Sequence, residues 1–278
     1  MDMTPHLEIV SETHPGKVRD LNEDYIGIDT QHGLIVVADG MGGYNAGEVA
    51  SCITVSLIID EVKNRGARQK LEKQDEKDGE RLGARLLREG MQKANGAVYL
   101  ATQHQPQYSG MGTTVVAGLL FDNKIAVAHV GDSRLYRLRG SIFESLTRDH
   151  SFLQEQVDKG FMTPSQAALS SNRHLVTRGV GVDPTVDVDV NVYDVEEDDI
   201  YLFCTDGLND MISDSNIGST LRALRSNLNI AAVQLVQQAN DAGGRDNISI
   251  VLVRIQNAFP GSRGWGQKIG QWLGGGVA

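Results

Sequence analysis

Hydrophobic residues occur in short runs along this chain, and most runs are bounded by glycine, aspartate or asparagine. Residues 34–38, 200–204 and 248–255 are almost entirely apolar, which is typical of buried strands. Residues 186–192 alternate between valine and polar residues, which indicates a strand with one buried face. Further strands and hairpins are predicted at residues 23–28, 111–120, 124–130, 135–138 and 142–146.

A second pattern, with apolar residues at helical spacing, lies between these runs. It predicts helices at residues 47–62, 81–102, 217–228 and 230–240, and the charged residues 63–80 form a solvated helix or a loop. Strands therefore come in blocks that are separated by helix pairs, and alternating βαβ units are absent from the pattern. We expect an α+β fold in layers, without a doubly wound parallel sheet.

Two segments do not fit the layers. Residues 149–173 predict two short helices between strands, with Thr163 and Pro164 as an N-cap and first-turn pair. This insert is either a mobile lid or a packed connector. Residues 258–278 are rich in glycine and carry Trp265 and Trp272, so we expect a flexible tail or a weak helix that docks on a partner or a membrane surface.

Composition narrows the function classes. The formal net charge is −10, whereas nucleic-acid binders normally present a basic surface. The two cysteines, Cys52 and Cys204, predict neither a disulfide framework nor a zinc site. The sequence shows no secretory signal and no apolar run long enough to span a membrane, so we expect a cytoplasmic protein, monomeric by default.

Aspartates at strand ends are the main chemical feature. Asp39, Asp206 and Asp246 each lie at one end of an apolar run, within Ala-Asp-Gly, Thr-Asp-Gly and Arg-Asp-Asn sequences. One Asp-Gly alone often makes only a turn. Three strand-end carboxylates predict one shared site of hard oxygen ligands, which suits Mg²⁺ or Mn²⁺ better than Zn²⁺.

Other polar groups join this prediction. Arg19 can clamp a phosphate with two hydrogen bonds, and Glu23 can contact a metal directly or through water. Asp132 follows another apolar run, and the Gly-flanked residues 110–114 are expected to pack near the site.

Six motifs together resemble the PP2C (PPM) family of metal-dependent serine/threonine protein phosphatases, in its compact bacterial form. The resemblance covers about residues 7–256. The motifs stand in the family's order: Arg-x-x-Asn-Glu-Asp at 19–24, Val-Ala-Asp-Gly-Met-Gly-Gly at 37–43, Gly-Thr-Thr at 112–114, Gly-Asp-Ser-Arg at 131–134, Thr-Asp-Gly at 205–207 and Arg-Asp-Asn at 245–247. Each motif is weak alone, but six in register are specific.

The resemblance implies a fold and a ligand set. The fold is a central antiparallel β-sandwich flanked by helix pairs, in four αββα layers, with a phosphatase domain at residues 1–257 and residues 149–173 as its flap. Two Mn²⁺ or Mg²⁺ ions are implied, with a third in bacterial members. The implied roles are these: Asp39 bridges both ions, the Gly40 carbonyl and Glu23 serve one, Asp206 and Asp246 serve the other, Asp132 with Asp206 holds the third, and Asp24 and Asn247 lie behind the ligands.

The implied reaction is hydrolysis of phosphoserine and phosphothreonine on proteins, by attack of a water that bridges the metal ions. Arg19 would neutralise and orient the phosphoryl oxygens. The implied partners are phosphorylated proteins and a cognate Ser/Thr kinase whose action the enzyme reverses.

One position departs from part of the family. Some members carry a histidine after the Asp-Gly that protonates the leaving alkoxide, and here that residue is Met41. A metal-bound water is our hypothesis for the general acid. His150 and His174 flank the insert as substitutes, although each also fits an ordinary surface or loop histidine.

Three other functions compete with this interpretation. A catalytically inactive relative that binds partners would lack ligands, and no ligand is missing here. A phosphatase acting on a small phosphoester or on a regulatory protein of the anti-anti-sigma type is compatible with the same metal site. A structural Ca²⁺ module would leave Arg19 without a role and lacks a contiguous carboxylate loop.

Overall fold

The computed structural model describes residues 2–43, 46–66, 71–75, 79–168, 170 and 175–259. The strands in the described residues are β1 (Leu7–His14), β2 (Asp24–Asp29), β3 (Leu34–Met41), β4 (Gly112–Thr113), β5 (Val115–Phe121), β6 (Lys124–Val130), β7 (Arg134–Arg139), β8 (Ile142–Ser145), β9 (Asp189–Asp194), β10 (Ile200–Cys204) and β11 (Ile248–Ile255). The α-helices in the same residues are α1 (Ala46–Glu61), α2 (Leu82–His104), α3 (Phe152–Asp158), α4 (Pro164–Ala168), α5 (Asp206–Asn209), α6 (Asp214–Leu224) and α7 (Leu228–Asp241).

Two antiparallel sheets form the centre of the molecule. One has the order β1-β11-β10-β7-β8, and the other has the order β2-β3-β5-β6-β9, with β4 paired to β3. Alternate residues of β3 face opposite sides. Ile35 and Val37 pack between the sheets with Tyr201 and Phe203, whereas Leu34 belongs to the core under α1 and α2.

A third apolar core lies between the β1-β11-β10-β7-β8 sheet and helices α5, α6 and α7. It includes Leu202, Leu221 and Leu235. The layers are therefore helices, sheet, sheet, helices. This confirms the α+β sandwich flanked by helix pairs that the sequence predicted.

Several element bounds differ from the predicted ones. A helix through residue 228 is wrong, because α6 ends at Leu224 and the Asn227 side chain caps α7 by accepting a hydrogen bond from the Ile230 N–H at 3.1 Å. The strand expected from residue 186 begins only at Asp189. Strand β3 runs to Met41, so Asp39 lies within the strand and not after it.

The insert between β8 and β9 contains the two short helices that the sequence predicted, α3 and α4. Ser151 caps α3, since its hydroxyl accepts a hydrogen bond from the Gln154 N–H at 3.3 Å. The Phe152 N–H donates to the Leu175 carbonyl at 2.8 Å, which joins the start of the insert to its end. Movement of this insert as a lid stays a prediction.

The ends of the predicted domain and tail are described only in part. Phe259, two residues beyond the expected boundary, is fully buried between the sheets. Residues 260–278, including Trp265 and Trp272, lie outside the described residues. Among the residues that are described, no helix combines the length and the apolar content needed to cross a membrane.

Candidate metal centre

A cavity of about 360 Å³ opens at one end of the two sheets. Acidic side chains from both sheets line it, and we call this set the carboxylate cavity: Glu23, Asp39, Asp132, Asp206, Asp210 and Asp246. Arg19, Gly40 and Met41 line the same space. The structure thus brings together the metal ligands and the phosphate-binding arginine that the sequence proposed.

The position of Asp39 is set by its own backbone. Its carbonyl oxygen accepts hydrogen bonds from the Thr113 hydroxyl at 2.7 Å and from the Thr114 N–H at 2.9 Å. Both donors belong to the Gly-Thr-Thr motif at residues 112–114. The motif therefore holds the strand end that carries Asp39, and Thr114 also lines the cavity.

Gly40 lies where a side chain would not fit. A Cβ atom there would stand 2.2 Å from the Gly47 carbonyl oxygen and 2.6 Å from the Glu23 carbonyl oxygen. Gly47, in the first turn of α1, donates its N–H to Glu23 Oε1 at 3.1 Å. Close backbone approach therefore lets the start of α1 orient the Glu23 carboxylate toward the cavity.

Asp206 and Asp246 come from neighbouring strands of the other sheet. Asp206 begins α5 directly after β10, and Asp246 precedes β11, which pairs with β10. A Cβ at Gly207 would lie 2.0 Å from the Asn247 carbonyl oxygen, so a glycine is required where these two segments meet.

Asp24 and Asn247 lie outside the cavity lining and hydrogen-bond to segments that carry cavity residues. Asp24 Oδ2 accepts a hydrogen bond from the Thr205 hydroxyl at 2.9 Å. Asn247 Oδ1 accepts from the Glu23 N–H at 2.8 Å, and its amide donates to the Leu21 carbonyl at 2.8 Å. Asn247 therefore ties the segment that carries Arg19 and Glu23 to β11.

Burial and mutual repulsion raise the pKa values of these carboxyl groups. Burial, followed by the neighbouring charges, raises the pKa of Asp206 to about 7. The pKa of Asp39 is raised well above its ordinary range by burial and by the charges of Asp24, Asp206, Asp132 and Asp246. Burial and Asp206 likewise raise the pKa of Asp132.

The same groups fit divalent cations. Asp206 Oδ1 is buried and has no hydrogen-bond partner among the described residues. A buried oxygen without a partner is costly unless a cation or another donor completes it. The donor set consists of carboxylate and carbonyl oxygens, which are the ligands that Mg²⁺ and Mn²⁺ prefer.

Arg19 reaches the cavity from the loop before β2. Its Nη2 atom lies 2.8 Å from Asp246 Oδ2, and the guanidinium is about half exposed. The hydrogen bond to Asp246 is the main cause that raises the pKa of Arg19. The group is therefore fully charged and positioned beside a candidate ligand.

Sequence reasoning did not identify some of the cavity residues. Asp210 lines the cavity four residues after Asp206, and this spacing along α5 and its end was a usable signal. Arg245, which lines the cavity, and Thr205, which lies outside the lining and donates to Asp24, stand out in the sequence only as parts of motifs. No local pattern distinguishes them from ordinary strand-end residues.

A second group of metal-ligand residue types lies outside the cavity lining. We call it the histidine cluster, and it consists of His129, His150 and Asp189 with Arg178 beside them. One ligand atom from each of the first three residues lies within 4.8 Å of the others. The two imidazole rings stack at a centroid distance of 4.6 Å.

The histidine cluster satisfies its own polar groups. His129 Nε2 contacts the Arg148 carbonyl at 2.8 Å, and His150 Nδ1 accepts from the Gly131 N–H at 3.1 Å. Asp189 Oδ1 accepts a hydrogen bond from Arg178 Nη1 at 2.8 Å, and Asp189 Oδ2 lies 3.3 Å from His150 Nε2. His150 lies in a loop, which agrees with one of the two expected alternatives, but it is not a surface histidine, since only 7% of it is exposed. His174 lies outside the described residues.

Comparisons with known proteins agree with this geometry. The model of the protein phosphatase 2C family matches residues 16–239. The serine/threonine phosphatase stp of Listeria monocytogenes is 34% identical over 245 residues, which are 87% of this chain and 93% of that protein.

Solved structures are similar as well. The serine/threonine phosphatase Stp1 of Staphylococcus aureus has a TM-score of 0.80 and 34% identity, over 92% of this chain and 98% of the other. The catalytic domain of the phosphatase PstP, solved in complex with two manganese ions, has a TM-score of 0.76 and 30% identity, over 91% of this chain and 99% of the other.

The chain belongs to the protein phosphatase 2C family of metal-dependent serine/threonine protein phosphatases. The family and the enzyme class that the six motifs predicted are confirmed.

Proposed function

We propose that this chain hydrolyses phosphoserine and phosphothreonine on proteins and holds two Mn²⁺ or Mg²⁺ ions in the carboxylate cavity. One observation carries the proposal: carboxyl groups that are buried or half-buried converge from two sheets on one space and raise one another's pKa values. Such a site is short of positive charge, and divalent cations supply it.

The ligand assignment follows the position of each group. The negative charges of Asp24, Asp206, Asp132 and Asp246 all act on Asp39, which supports Asp39 as the ligand shared by both ions. The Gly40 carbonyl and Glu23 lie on one side of it, and Asp206 and Asp246 come from the other sheet. Asp132 with Asp206 would hold a third ion, because the pKa of Asp132 is raised by Asp206 after burial itself.

Bound divalent ions lower the pKa of water and stabilise negative charge on a phosphoryl group. The protein itself contributes orientation. Arg19 presents a charged guanidinium at the cavity and would bind two phosphoryl oxygens, while Asn247 fixes the loop that carries it. Met41 lines the cavity but carries no transferable proton, and His150 does not line it. We therefore propose that neither residue protonates the leaving alkoxide.

Phosphorylated proteins are made by kinases, so the enzyme would oppose a Ser/Thr protein kinase. A reducing cytoplasm is the compartment we propose, because Cys52 and Cys204 are both free thiols. We also propose residues 1–257 as the phosphatase domain, with Phe259 just beyond this boundary packed between its sheets.

The test is release of phosphate from a phosphothreonine peptide with Mn²⁺, with Mg²⁺ and with EDTA. We expect activity only with metal, and a collapse in Asp246→Asn at saturating Mn²⁺. The matched control is Asp241→Asn, whose carboxylate is 63% exposed and pairs with Lys17 away from the cavity lining. Activity that persists in EDTA, or in Asp246→Asn at the wild-type level, would contradict the proposal.

A further inference from the structure

Arg245 differs from the other arginine of the cavity lining. Arg19 is paired with Asp246 at 2.8 Å, whereas Arg245 is exposed and forms no hydrogen bond or ion pair with any described residue. An arginine usually finds a carboxylate where many are present. Six carboxylates line the same cavity, and Arg245 forms no ion pair with any of them.

The backbone at Gly243 lies close to the side chain of Arg245. A Cβ atom added at Gly243 would stand 3.6 Å from Arg245 Cγ, 3.7 Å from Arg245 Nε and 3.8 Å from Met211 Sδ. The stem of Arg245 therefore passes close to Gly243, and the Met211 sulfur, which also belongs to the cavity lining, lies near the same glycine. This packing positions the guanidinium without using its hydrogen-bond donors.

The charges around the cavity determine which substrate side chains the unpaired Arg245 guanidinium attracts. The carboxylates that line the cavity repel an acidic substrate segment, and bound cations would offset that repulsion mainly in the interior. An exposed guanidinium offers its planar fork of donors to a carboxylate from outside. Of the two arginines in the lining, Arg19 has one nitrogen engaged by Asp246, whereas Arg245 has none engaged by the residues that the structure describes.

We infer that Arg245 binds an acidic side chain of the phosphoprotein substrate, close in sequence to the phosphorylated residue. The inference rests on the proposed function and adds a substrate preference to it. Arg245 directly precedes the candidate ligand Asp246, and an extended peptide advances about 3.3–3.6 Å per residue. The acidic residue is therefore expected within about two positions of the phosphoresidue.

The experiment compares three phosphothreonine peptides that carry Glu, Gln or Lys at the two positions on either side. Values of kcat and KM are measured with saturating Mn²⁺ for the wild type, Arg245→Gln and Arg245→Glu. We expect the wild type to prefer the Glu peptide over the Gln peptide by about fivefold in kcat/KM, mainly through KM. The ratio should fall to about one in Arg245→Gln, and Arg245→Glu should prefer the Lys peptide.

Arg225→Gln is the matched control, because Arg225 is an exposed arginine outside the cavity lining and its substitution makes the same charge change. It should retain the wild-type Glu/Gln ratio. An unchanged ratio in Arg245→Gln would overturn the inference. An equal loss on all three peptides would also overturn it, since Arg245 would then act on the phosphoryl group. If the wild type released no phosphate from any peptide, the proposed function itself would fail.

Discussion

The carboxylate cavity and the histidine cluster both contain residue types that bind metals. They differ in whether the polar groups of those residues already have partners within the protein. In the cavity, carboxyl groups that are buried or half-buried repel one another, and the buried Asp206 Oδ1 atom has no partner among the described residues. In the histidine cluster, Asp189 meets Arg178 and His150, and each imidazole contacts a backbone group. The cavity is therefore incomplete without cations, whereas the cluster is complete without them.

This difference shows that ligand chemistry alone does not define a metal site. Arg178 Nη1 lies 3.1 Å from His150 Nε2, which is the place where a cation would have to bind. The guanidinium already supplies the positive charge that Asp189 requires. Unsatisfied buried oxygens are the better indicator, because leaving them unpaired costs free energy that a bound ion recovers.

An Asp→Asn substitution made in each of the two regions should have very different effects on activity, and the effect in the cavity is the largest that we expect. Asp39→Asn should lower kcat/KM for a phosphothreonine peptide at saturating Mn²⁺ by at least about a thousandfold, because it removes charge from the proposed shared ligand. Asp189→Asn should lower it by less than about threefold. Equal losses in the two variants would contradict the distinction between the regions.

The response of the cavity to pH should be large and should depend on metal. Asp24 and Asp206 have pKa values raised to about 7, mainly by burial. Without metal, their contribution to stability is present below about pH 4, the unfolded value, and is lost as the pH rises toward 7. Cations need the deprotonated form, so stabilisation by Mn²⁺ should grow over the same range.

Urea unfolding from pH 5 to pH 8, with EDTA and with Mn²⁺, measures this difference. Asp39→Asn should reduce the difference in unfolding free energy between the protein with Mn²⁺ and the protein with EDTA. Asp189→Asn should leave this difference unchanged. A Mn²⁺ effect that shrinks as the pH rises would show that these carboxyl groups do not hold the ions.

The histidine cluster should respond to pH with the opposite sign. Burial, then the neighbouring His129 and Arg178, lower the pKa of His150 to about 4. Its contribution to stability is therefore present above its unfolded pKa of about 6.5 and is lost as the pH falls toward 4. The loss should be at most about 3 kcal/mol.

His150→Asn keeps an acceptor near the Gly131 N–H and removes the titration. Compared with the wild type in urea unfolding, the variant should lose less stability between pH 6.5 and pH 4. Identical curves for the two proteins would mean that His150 does not titrate in this range.

Much of the cavity was predictable because its ligands stand at strand ends. The bounds of β10 and β11 agree with the apolar runs at residues 200–204 and 248–255, and so Asp206 and Asp246 were placed correctly at their ends. Arg19 and Glu23 were predicted from the phosphate-binding and metal-binding chemistry of their side chains, and the six motifs agreed with them. Asp210 was missed because it follows the short helix α5, where no strand-end pattern marks it.

Other features depend on contacts between distant parts of the chain. His150 is buried because it stacks on His129 and faces Asp189 and Arg178, and no local pattern reveals these partners. The end of α6 was missed because Leu224 and Leu228 continue the apolar spacing across Asn227. The capping preference of asparagine was the available signal.

The central claim is that the ions bind in the carboxylate cavity and not in the histidine cluster. Titration of Mn²⁺ into the metal-free protein, measured by isothermal titration calorimetry, tests this claim most directly. The account predicts at least two bound ions in the wild type and in Asp189→Asn, and fewer ions or much weaker binding in Asp39→Asn. Binding that survives in Asp39→Asn but is lost in Asp189→Asn would place the ions in the histidine cluster and contradict the account.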